Sequence, residues 1–468
     1  MADVRLLAGW GRTAPSGAHL VAIGGADDVV RAARSAGPRG VLARGLGRSY
    51  GDAAQNAGGA VLDMTGPPAG ALRVAADGTL RAPAGTTIDA VLRATLPQGW
   101  FVPVTPGTRQ VTLGGAMAAD IHGKNHHGHG SFGGHVTSAE LVTGEGERRT
   151  ISPVGDARAF WATVGGLGLT GAVTEMTVRL LPVETSRMVV DTERLDDLDA
   201  LMAAMERADA RRPYSVAWID LMARGRHLGR SVLTAGDHAP RAALGDAAGG
   251  PLAFDPSVRL GAPPWAPSHL LNALTVRAFN EVWFRAAPRH RRDEVQGMAS
   301  FFHPLDGVKN WNRLYGARGL VQHQTVVPFG QEATLCTMIE RLAGAGVPSF
   351  VAVLKRFGAA SPAPLSFPLP GWTLALDMPA GHAGLADLLD ELDRLVVAAG
   401  GRVYLAKDSR VDPALVPTMY PRLDEWRAVR RELDPHGRWC SDLARRIGLL
   451  DRCERPPAAR IGSPGRPA

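Results

Sequence analysis

The chain contains little cysteine, and this scarcity limits the classes of protein to which it can belong. Three cysteines, Cys336, Cys440 and Cys453, stand far apart in 468 residues. A disulfide framework or a structural zinc site needs more thiol or imidazole ligands at short, regular spacings. We therefore predict a protein that folds in a reducing compartment and has no disulfide framework.

Long hydrophobic runs are also missing from the sequence. No run reaches the roughly 18 apolar residues that a membrane-spanning helix requires. The opening segment, MADVRLLAGWGRTAPSG, has no apolar stretch of the kind found in secretion signals. We expect a chain that is cytoplasmic or peripheral at a membrane.

The sequence has no basic tract interleaved with aromatic residues, which argues against a nucleic-acid partner. Its formal charge of +7 and pI near 9.7 come mostly from scattered arginines. A solvated, arginine-rich surface accounts for this charge. Attraction to an anionic substrate or to an acidic membrane face is the functional alternative.

The length favours two domains, because a single core rarely grows to this size. The pattern of residues 1–185 predicts alternating short strands and helices, and this pattern changes near residue 186. We predict a first domain at 1–185, a second domain at 186–401, a return segment at 402–450 that completes the first domain and a disordered tail at 451–468. Within the second domain, the Gly/Ala/Pro-rich stretch 235–269 has no sustained periodicity and predicts a loop or lid.

Glycine is abundant where the chemistry is expected. The segment VLARGLGRSYGDAAQN (41–56) places Gly45, Gly47 and Gly51 after a short apolar strand. A Rossmann fingerprint would lead directly into a helix, but this loop leads towards another strand. Glycines still allow backbone N–H groups to approach a pyrophosphate, although a plain turn is the alternative interpretation.

Two further segments are also rich in small residues, and three such loops are hard to explain as simple turns. PGTRQVTLGGAMAADIHGKNHHGHGSFG (106–133) is rich in glycine, alanine and histidine, and WATVGGLGLTGAVTEM (161–176) is rich in glycine. Small residues allow backbone to pack against a large flat ligand. The three loops together favour a bound nucleotide cofactor.

These loops, with YLAKDSR (404–410) and SDLARR (441–446), resemble those of the vanillyl-alcohol-oxidase-type flavoproteins. The resemblance runs from about residue 6 to residue 450. It implies an α+β, two-domain fold, in which an FAD-binding domain (1–185, completed by 402–450) faces a cap-like substrate-binding domain (186–401) built on an antiparallel sheet with helices. Many members bond FAD covalently through a histidine of the first loop. Arg48 stands at that place here, so we predict non-covalent FAD.

The resemblance also implies which residues contact the cofactor. Those expected at FAD are Arg44, Gly45, Leu46, Gly47, Arg48, Ser49, Tyr50, Gly51, Asp52, Gly107, Thr112, Leu113, Gly114, Gly115, Ala119, Asp120, Ile121, His122, Val173, Tyr404 and Lys407.

Oxidation of an alcohol by a flavin needs a proton acceptor and positive charge near the reacting centre. Lys407 is the candidate for the charge, or for the base if burial lowers its pKa; a surface lysine paired with Asp408 is the alternative. His122, expected beside the substrate, could orient or deprotonate the hydroxyl. The histidines of HGKNHHGH have no acidic or cysteine partner at ligand spacing, so no metal site is predicted.

Five residues are expected to contact the substrate, by the same resemblance: Lys124, Trp218, Gln324, Lys355 and Trp372. Plain core positions are the alternative for the two tryptophans, and a solvated side chain is the alternative for Lys124. Lys355 lies on an apolar strand, where an unpaired lysine is hard to explain as core.

Three positions depart from the best-known members of the family. Ala375 replaces a pocket cysteine, Thr373 replaces an asparagine and Phe302 replaces a tyrosine. None of these residues is expected to touch the flavin chemistry. They affect the shape of the substrate pocket, and covalent inhibitors aimed at the cysteine should find no thiol.

The motifs are most similar to family members that oxidise a lipid-linked sugar. The resemblance implies FAD-dependent oxidation of the 2-hydroxyl of a polyprenyl-phosphate-linked β-D-ribofuranose, the first half of an epimerisation that supplies arabinose for cell-wall arabinan. A separate NAD(P)-dependent short-chain reductase is the expected partner, and peripheral membrane contact is expected. Oxidation of a soluble alditol, aldonolactone or secondary-metabolite sugar is the alternative, as is a non-enzymatic flavin-binding scaffold.

Overall fold

The structure is a computed structural model that describes residues 3–66, 71–247, 249–258, 260–263, 267 and 270–450. The first part of the chain forms short strands and helices in alternation. In order these are β1 (Asp3–Leu7), β2 (Ser16–Ala22), α1 (Ala26–Arg34), β3 (Val41–Arg44), β4 (Ala60–Asp63), β5 (Thr79–Pro83), α2 (Ile88–Thr95), β6 (Trp100–Phe101), α3 (Leu113–Ala118), α4 (His126–His129), β7 (Val136–Val142), β8 (Arg148–Ile151), α5 (Ala157–Thr163), β9 (Ala172–Arg179) and β10 (Leu181–Pro182).

Two four-stranded sheets organise this part of the chain. The first has the order β1-β2-β4-β3, and its last three strands are parallel. The second has the order β5-β9-β7-β8 and is antiparallel. The first glycine-rich loop follows the carboxyl end of β3. In a parallel sheet, ligands bind at this edge, beside the loops that follow the strands.

The next part of the chain builds an eight-stranded antiparallel sheet, with the order β15-β11-β13-β12-β18-β19-β17-β20. Its elements, and those that follow, are β11 (Arg187–Leu195), α6 (Leu198–Asp209), β12 (Tyr214–Ile219), β13 (Ser231–His238), β14 (Leu260–Gly261), α7 (Ala273–Ala286), β15 (His290–Gly297), α8 (Met298–Phe302), β16 (Val308–Lys309), β17 (Leu320–Pro328), α9 (Glu332–Ala345), β18 (Ala352–Phe357), β19 (Gly371–Pro379), α10 (Leu385–Ala398), β20 (Arg402–Val403), α11 (Val416–Met419), α12 (Leu423–Leu433) and α13 (Asp442–Arg446). Short 3₁₀ turns lie at 96–98, 132–135, 225–227, 241–247, 304–307, 311–315 and 413–415.

Side-chain alternation gives the large sheet two different faces. On β19, Trp372, Leu374 and Leu376 pack into a core with helices α6, α9 and α10. The intervening side chains, such as Thr373, point to the other face, where Thr373 accepts a hydrogen bond from Gln324. The second face is the one that meets the first domain.

The segment after β20 returns to the first domain and completes it. Trp426 of α12 is fully buried and donates its indole N–H to the carbonyl oxygen of Ala162 at 3.0 Å. Trp439 forms a parallel bridge with Val41 of β3. The chain therefore crosses between the two domains twice, near 185 and near 402.

The predicted α+β fold, with a cap on an antiparallel sheet, is confirmed. The exact boundaries 185/186 and 401/402 stay predictions; β20 still pairs with β17 of the large sheet. The predicted tail 451–468 lies outside the described residues. Among the residues that are described, no helix combines the length and the apolar character needed to cross a bilayer.

Candidate active site

The first glycine-rich loop has several backbone N–H groups without a partner. Within the described residues, no acceptor takes the N–H groups of Gly45 to Ser49. Gly47 has a left-handed φ of 62°, which glycine adopts without steric cost. Successive free N–H groups in such a turn form a concavity that binds anions. The loop therefore has the properties that a cofactor phosphate requires.

Close packing fixes this loop against the return segment. A Cβ atom on Gly51 would lie 1.9 Å from the carbonyl oxygen of Asp408, so glycine is required for this approach. The guanidinium of Arg446 donates to the carboxylates of Asp52 and Asp408, each at 2.8 Å. Asp52 is thus engaged within the protein, where it stabilises the loop.

Two arginines of the loop have different environments. Arg44 donates to the backbone carbonyls of Ala8 and Ala54, so its hydrogen bonds stabilise the protein. Arg48 stacks on Trp10, with Cζ 3.9 Å from the ring centroid, and its buried Nε has no partner in the described residues. Because a buried donor without an acceptor is costly, Arg48 is a group that a ligand oxygen would satisfy.

The second loop is shaped by a buried carboxylate after α3. Asp120 has a left-handed φ of 40° and is fully buried. Its carboxylate accepts hydrogen bonds from Ser131, Ser366 and the backbone N–H of Gly133. Burial raises the pKa of Asp120, and these three donors oppose that shift. The carboxylate orients the backbone that leads into His122.

His122 lies where the two domains meet and is 7% exposed. Its Nε2 is 2.8 Å from the side-chain amide nitrogen of Gln324, and its Nδ1 is 3.2 Å from Nζ of Lys355. Burial, and secondarily the charge of Lys355, lowers the pKa of His122 well below its ordinary value. The imidazole is therefore neutral at physiological pH, and its ring contacts Phe357, Phe367 and Tyr404.

Three lysines converge on this region. Lys355 is beside His122, Lys124 donates to the carbonyl oxygen of Phe301, and Nζ of Lys407 lies 4.3 Å from the ring centroid of Tyr50. In the described part of the chain, none of the three forms an ion pair with a carboxylate. Burial lowers the pKa of Lys124 and of Lys355 to about 7.

The charges of the three lysines interact with one another and with one carboxylate. Those of Lys407 and Lys124 contribute to the lowered pKa of Lys355. Burial lowers the pKa of Lys407, while the charge of Asp377 opposes that change. Asp377 is fully buried on β19, accepts from the side-chain amide of Gln322, and has a pKa raised by burial. When the three lysines are protonated, they carry more positive charge than Asp377 can neutralise, and an anionic ligand would stabilise that charged state.

Strand register decides which of the other predicted substrate residues face this cluster. Trp218 on β12 pairs with Val353 on β18, Val353 pairs with Ala375 on β19, and Ala375 pairs with Gln324 on β17. This row crosses the sheet on the face towards His122. Trp218 also donates its indole N–H to the carbonyl oxygen of Phe350 at 2.9 Å.

The structure does not bring Trp372 to the same face. Its side chain is 1% exposed, lies in the helix-side core and donates its indole N–H to the carboxylate of Glu332 at 3.0 Å. It precedes Thr373 by one residue on β19, so strand alternation directs the two side chains to opposite faces. Trp372 stabilises the cap from behind the sheet.

The remaining predicted cofactor residues lie along the glycine-rich loops and their flanking elements. Tyr404 donates its hydroxyl hydrogen to the carbonyl oxygen of Ala119 at 2.7 Å. The others are Leu46, Gly107, Thr112, Leu113, Gly114, Gly115, Ile121 and Val173.

Two observations of the structure indicate that these residues fit FAD. The free N–H groups of the first loop and the unpartnered Nε of Arg48 suit a diphosphate. The unpaired buried lysines suit negative charge at the reacting end of the cofactor or on a substrate phosphate. The fold and the site together define a two-domain, FAD-dependent oxidoreductase.

Comparison with known proteins agrees with this class. Residues 18–152 match the FAD binding domain family, and residues 378–447 match the D-arabinono-1,4-lactone oxidase family. A decaprenylphosphoryl-β-D-ribose oxidase of Mycolicibacterium smegmatis is 44% identical over 95% of this chain and 97% of the relative. An uncharacterised Streptomyces coelicolor protein is 44% identical over 78% of this chain and all of the relative. Cytokinin dehydrogenase 4 of Arabidopsis thaliana is 35% identical over 30% of this chain and 28% of the relative.

The chain belongs to the decaprenylphosphoryl-β-D-ribose oxidase family. FAD as its cofactor, and oxidoreductase activity, are thereby confirmed. The roles predicted for individual residues stay proposals.

Sequence reasoning missed Asp377, whose charge acts on Lys407, and Gln322, which donates to Asp377. It also missed Phe357 and Phe367, which contact His122. Two signals in the sequence point towards this cluster. Asp377 is the only charged residue in the otherwise apolar strand GWTLALDMP, and buried carboxylates are rare without a function or a partner. The chain also has only four lysines among its 52 basic residues, and three of the four converge here.

Proposed function

We propose that this chain oxidises the 2-hydroxyl of a polyprenyl-phosphate-linked β-D-ribofuranose to the corresponding ketone. The observation that carries this proposal is the group of three buried lysines, none of which forms an ion pair with a carboxylate among the described residues, beside a neutral imidazole. A phosphate-bearing substrate would neutralise positive charge that the protein itself leaves unpaired. The similarity to the Mycolicibacterium smegmatis oxidase supports the choice of sugar and lipid.

His122 and Lys407 have separate roles in this proposal. Oxidation of a secondary alcohol removes a hydride from carbon and a proton from oxygen, and FAD supplies the hydride acceptor when bound. We assign the proton to His122, because its lowered pKa leaves a ring nitrogen unprotonated at neutral pH. Lys407 faces the charge of Asp377, which favours the ammonium form, so it stabilises negative charge at the reacting centre.

The substrate phosphate would bind to Lys124 and Lys355, whose ammonium groups are compact charges suited to phosphate oxygens. Gln324 contacts the His122 ring and would position the sugar hydroxyls. Trp218, on the same face of the sheet, would contact the sugar or the first prenyl unit. Trp372 is not part of this set, because it lies behind the sheet.

The match of residues 378–447 to D-arabinono-1,4-lactone oxidase favours a second candidate, the oxidation of a soluble aldonolactone or related sugar. The lysines distinguish the two candidates. A soluble neutral sugar has no phosphate and would leave Lys124 and Lys355 unpaired, which is energetically unfavourable.

The 2-keto product of this reaction indicates which kind of partner enzyme must consume it. A 2-keto sugar becomes an arabinose only after reduction from the opposite face, which requires a separate NAD(P)-dependent reductase. We propose such a short-chain reductase as the partner, cell-wall arabinan as the destination, and peripheral contact with the membrane that carries the lipid. Association with the cell envelope is part of the same proposal.

The test is anaerobic mixing of the yellow holoenzyme with a prenyl-phosphoribose, while the flavin absorption band is followed. We expect the band to bleach and mass spectrometry to show a product two hydrogens lighter. The matched compounds are the same phosphoribose without its prenyl chain and an arabinono- or galactono-lactone. Bleaching by the lactone, and none by the prenyl-phosphoribose, would replace the first candidate with the second.

The cofactor is proposed to be bound without a covalent link, because Arg48 stands where related proteins have a flavin-linking histidine. Acid precipitation should leave the yellow colour in the supernatant. Colour retained in the washed pellet would contradict this assignment.

A further inference from the structure

Exposed apolar side chains are concentrated in one segment of the cap. Thirteen large hydrophobic residues are exposed among those described, and seven of them fall between positions 258 and 283. Four belong to α7: Leu274 is 75% exposed, Val282 69%, Trp283 51% and Phe279 45%. A soluble surface rarely groups its largest apolar side chains in this way without a binding role.

Helix α7 is firmly attached to the sheet through its opposite side. Val276, Asn280 and Phe284 are buried, and the side-chain amide of Asn280 donates to Asp220 at 2.7 Å. Arg230 joins Asp220 and Glu281 by ion pairs of 2.6 Å. The exposed face is therefore held in place by an anchored helix.

Arginines accompany the apolar face along the chain, and some of them are ion-paired. Residues 270–294 contain five arginines (277, 285, 289, 291 and 292) and three acidic residues (Glu281, Asp293 and Glu294), and Arg291 and Arg292 pair with Glu294 and Asp191. Glu281 is already paired with Arg230 and Arg285, while the exposed Arg277 has no acidic partner within the described residues. Tryptophan, phenylalanine and leucine beside arginines are the composition of a helix that lies in a membrane interface.

A row of aromatic contacts connects this face with the active site. Phe279 stacks on Trp283 and packs edge-on against Phe350. The carbonyl oxygen of Phe350 accepts a hydrogen bond from the indole N–H of Trp218. The ring of Phe350 stacks on the ring of Tyr315. Tyr315 shares a hydrophobic cluster with Tyr50, the ring beneath Lys407.

We propose that the exposed face of α7 (Leu274, Phe279, Val282 and Trp283) and its arginines dock on the surface of an anionic lipid bilayer. Docking buries the apolar side chains at the headgroup boundary and places the arginines among acidic headgroups. The aromatic row then connects the active site to the lipid phase. This inference deepens the membrane contact proposed above, but the surface itself is independent of the identity of the sugar.

The experiment is flotation of the full-length holoenzyme with vesicles of phosphatidylcholine alone or of phosphatidylcholine mixed with phosphatidylglycerol. The assay contains no substrate, so a wrong sugar assignment leaves its result unaffected. We expect binding to the anionic vesicles and much weaker binding to the neutral ones. Val282→Glu and Arg277→Glu should each weaken anionic-vesicle binding by about tenfold or more.

Two matched control variants carry the same kinds of substitution, valine to glutamate and arginine to glutamate, at exposed positions outside α7. Val154→Glu alters a valine that is 96% exposed between β8 and α5, and Arg207→Glu alters an exposed arginine on α6. Both controls should bind vesicles like the unaltered protein, and all four variants should retain their flavin absorption. The proposal fails if the unaltered protein does not float with anionic vesicles, or if the controls lose binding equally. It also fails if Val282→Glu converts a dimer to a monomer without affecting flotation, because a second copy would then cover the face.

Discussion

Lys407 and His122 belong to the same site, but the surroundings of Lys407 favour its charged form and those of His122 favour its neutral form. Lys407 faces Asp377 across a buried region, while the imidazole of His122 is kept neutral by burial and by Lys355. The surroundings of the two residues thus distinguish the group proposed to hold charge from the group proposed to accept a proton. This separation is typical of sites that perform acid–base chemistry near neutral pH.

Replacement of Lys407 by arginine or by methionine separates charge stabilisation from proton transfer. If the lysine acts through its charge, Lys407→Met should lower kcat by about 10²–10³-fold, and Lys407→Arg should recover a large part of the loss. The measurement is single-turnover bleaching of the flavin band with each variant. An arginine variant as inactive as the methionine variant, with its flavin retained, would identify Lys407 as the base instead.

Asp377→Asn tests how the charge of Lys407 is maintained. The carboxylate raises the pKa of Lys407 against the effect of burial. Its removal should lower that pKa further, so that Lys407 loses its proton at a lower pH. We expect the alkaline limb of the kcat profile to shift to lower pH, and the shift to disappear in the Asp377→Asn, Lys407→Arg double variant, because arginine does not titrate in this range. An unchanged alkaline limb in the single variant would contradict this role.

At the scale of single residues, the sequence was most informative where a residue type is unusual in its context. Lys355 on an apolar strand and His122 in a small-residue loop were both identified, and both lie in the cluster. Asp377 was missed because an alternating strand pattern does not reveal which polar residue meets which partner. That information depends on register between β17 and β19, which no local pattern encodes.

At the scale of elements, the first glycine-rich loop and the return segment depend on each other. Gly51 lies so close to Asp408 that the loop and the residues beside Lys407 form one packed unit. Gly51→Ala should therefore displace the return segment, weaken flavin binding and lower the midpoint of thermal unfolding. Flavin retention after gel filtration measures the first effect, and calorimetry measures the second.

Gly134→Ala is the matched control, because a Cβ atom at Gly134 meets nothing within 4 Å. It should retain its flavin and its unfolding midpoint. Equal losses in both variants would mean that close packing at Gly51 has no special importance.

Strand alternation explains which of the predicted substrate residues on the large sheet lie on the site face and which does not. Trp218 and Gln324 belong to one row on the site face, whereas Trp372 lies behind the sheet. The family resemblance gave the right strand for Trp372, but a position one residue away faces the opposite side. Thr373, named only as a departure from the family, is the residue that contacts Gln324.

At the scale of the whole molecule, the site is assembled from parts of the chain that are far apart in sequence. Lys124, Lys355 and Lys407 come from the first domain, the cap and the return segment respectively. The chain length predicted two domains, and the family resemblance of the glycine-rich loops predicted the cofactor. They could not predict that three of the four lysines meet, because that meeting depends on the packing of one domain on the other.

The buried lysines also affect the pH dependence of stability in the flavin-free protein. The pKa of Lys124 and of Lys355 is about 7 in the folded state and about 10.4 in an unfolded chain. Between these values the unfolded state binds more protons, so these groups make the free energy of unfolding rise with pH across this window. Their destabilising effect is greatest below pH 7, where both ammonium groups are protonated and buried.

Lys355→Met should therefore raise the free energy of unfolding at pH 6 by about 1–3 kcal/mol, and by much less at pH 10. Urea unfolding of the apoprotein at the two pH values measures the difference. Lys309→Met is the matched control, because Lys309 is the one remaining lysine and is exposed; its stability should change little at either pH. If Lys355→Met gives the same gain at both pH values, apolar packing explains the result, and the buried charge does not. A gain confined to acid would show that the buried ammonium group lowers the stability of the apoprotein, as expected of a cation held for the proposed anionic ligand.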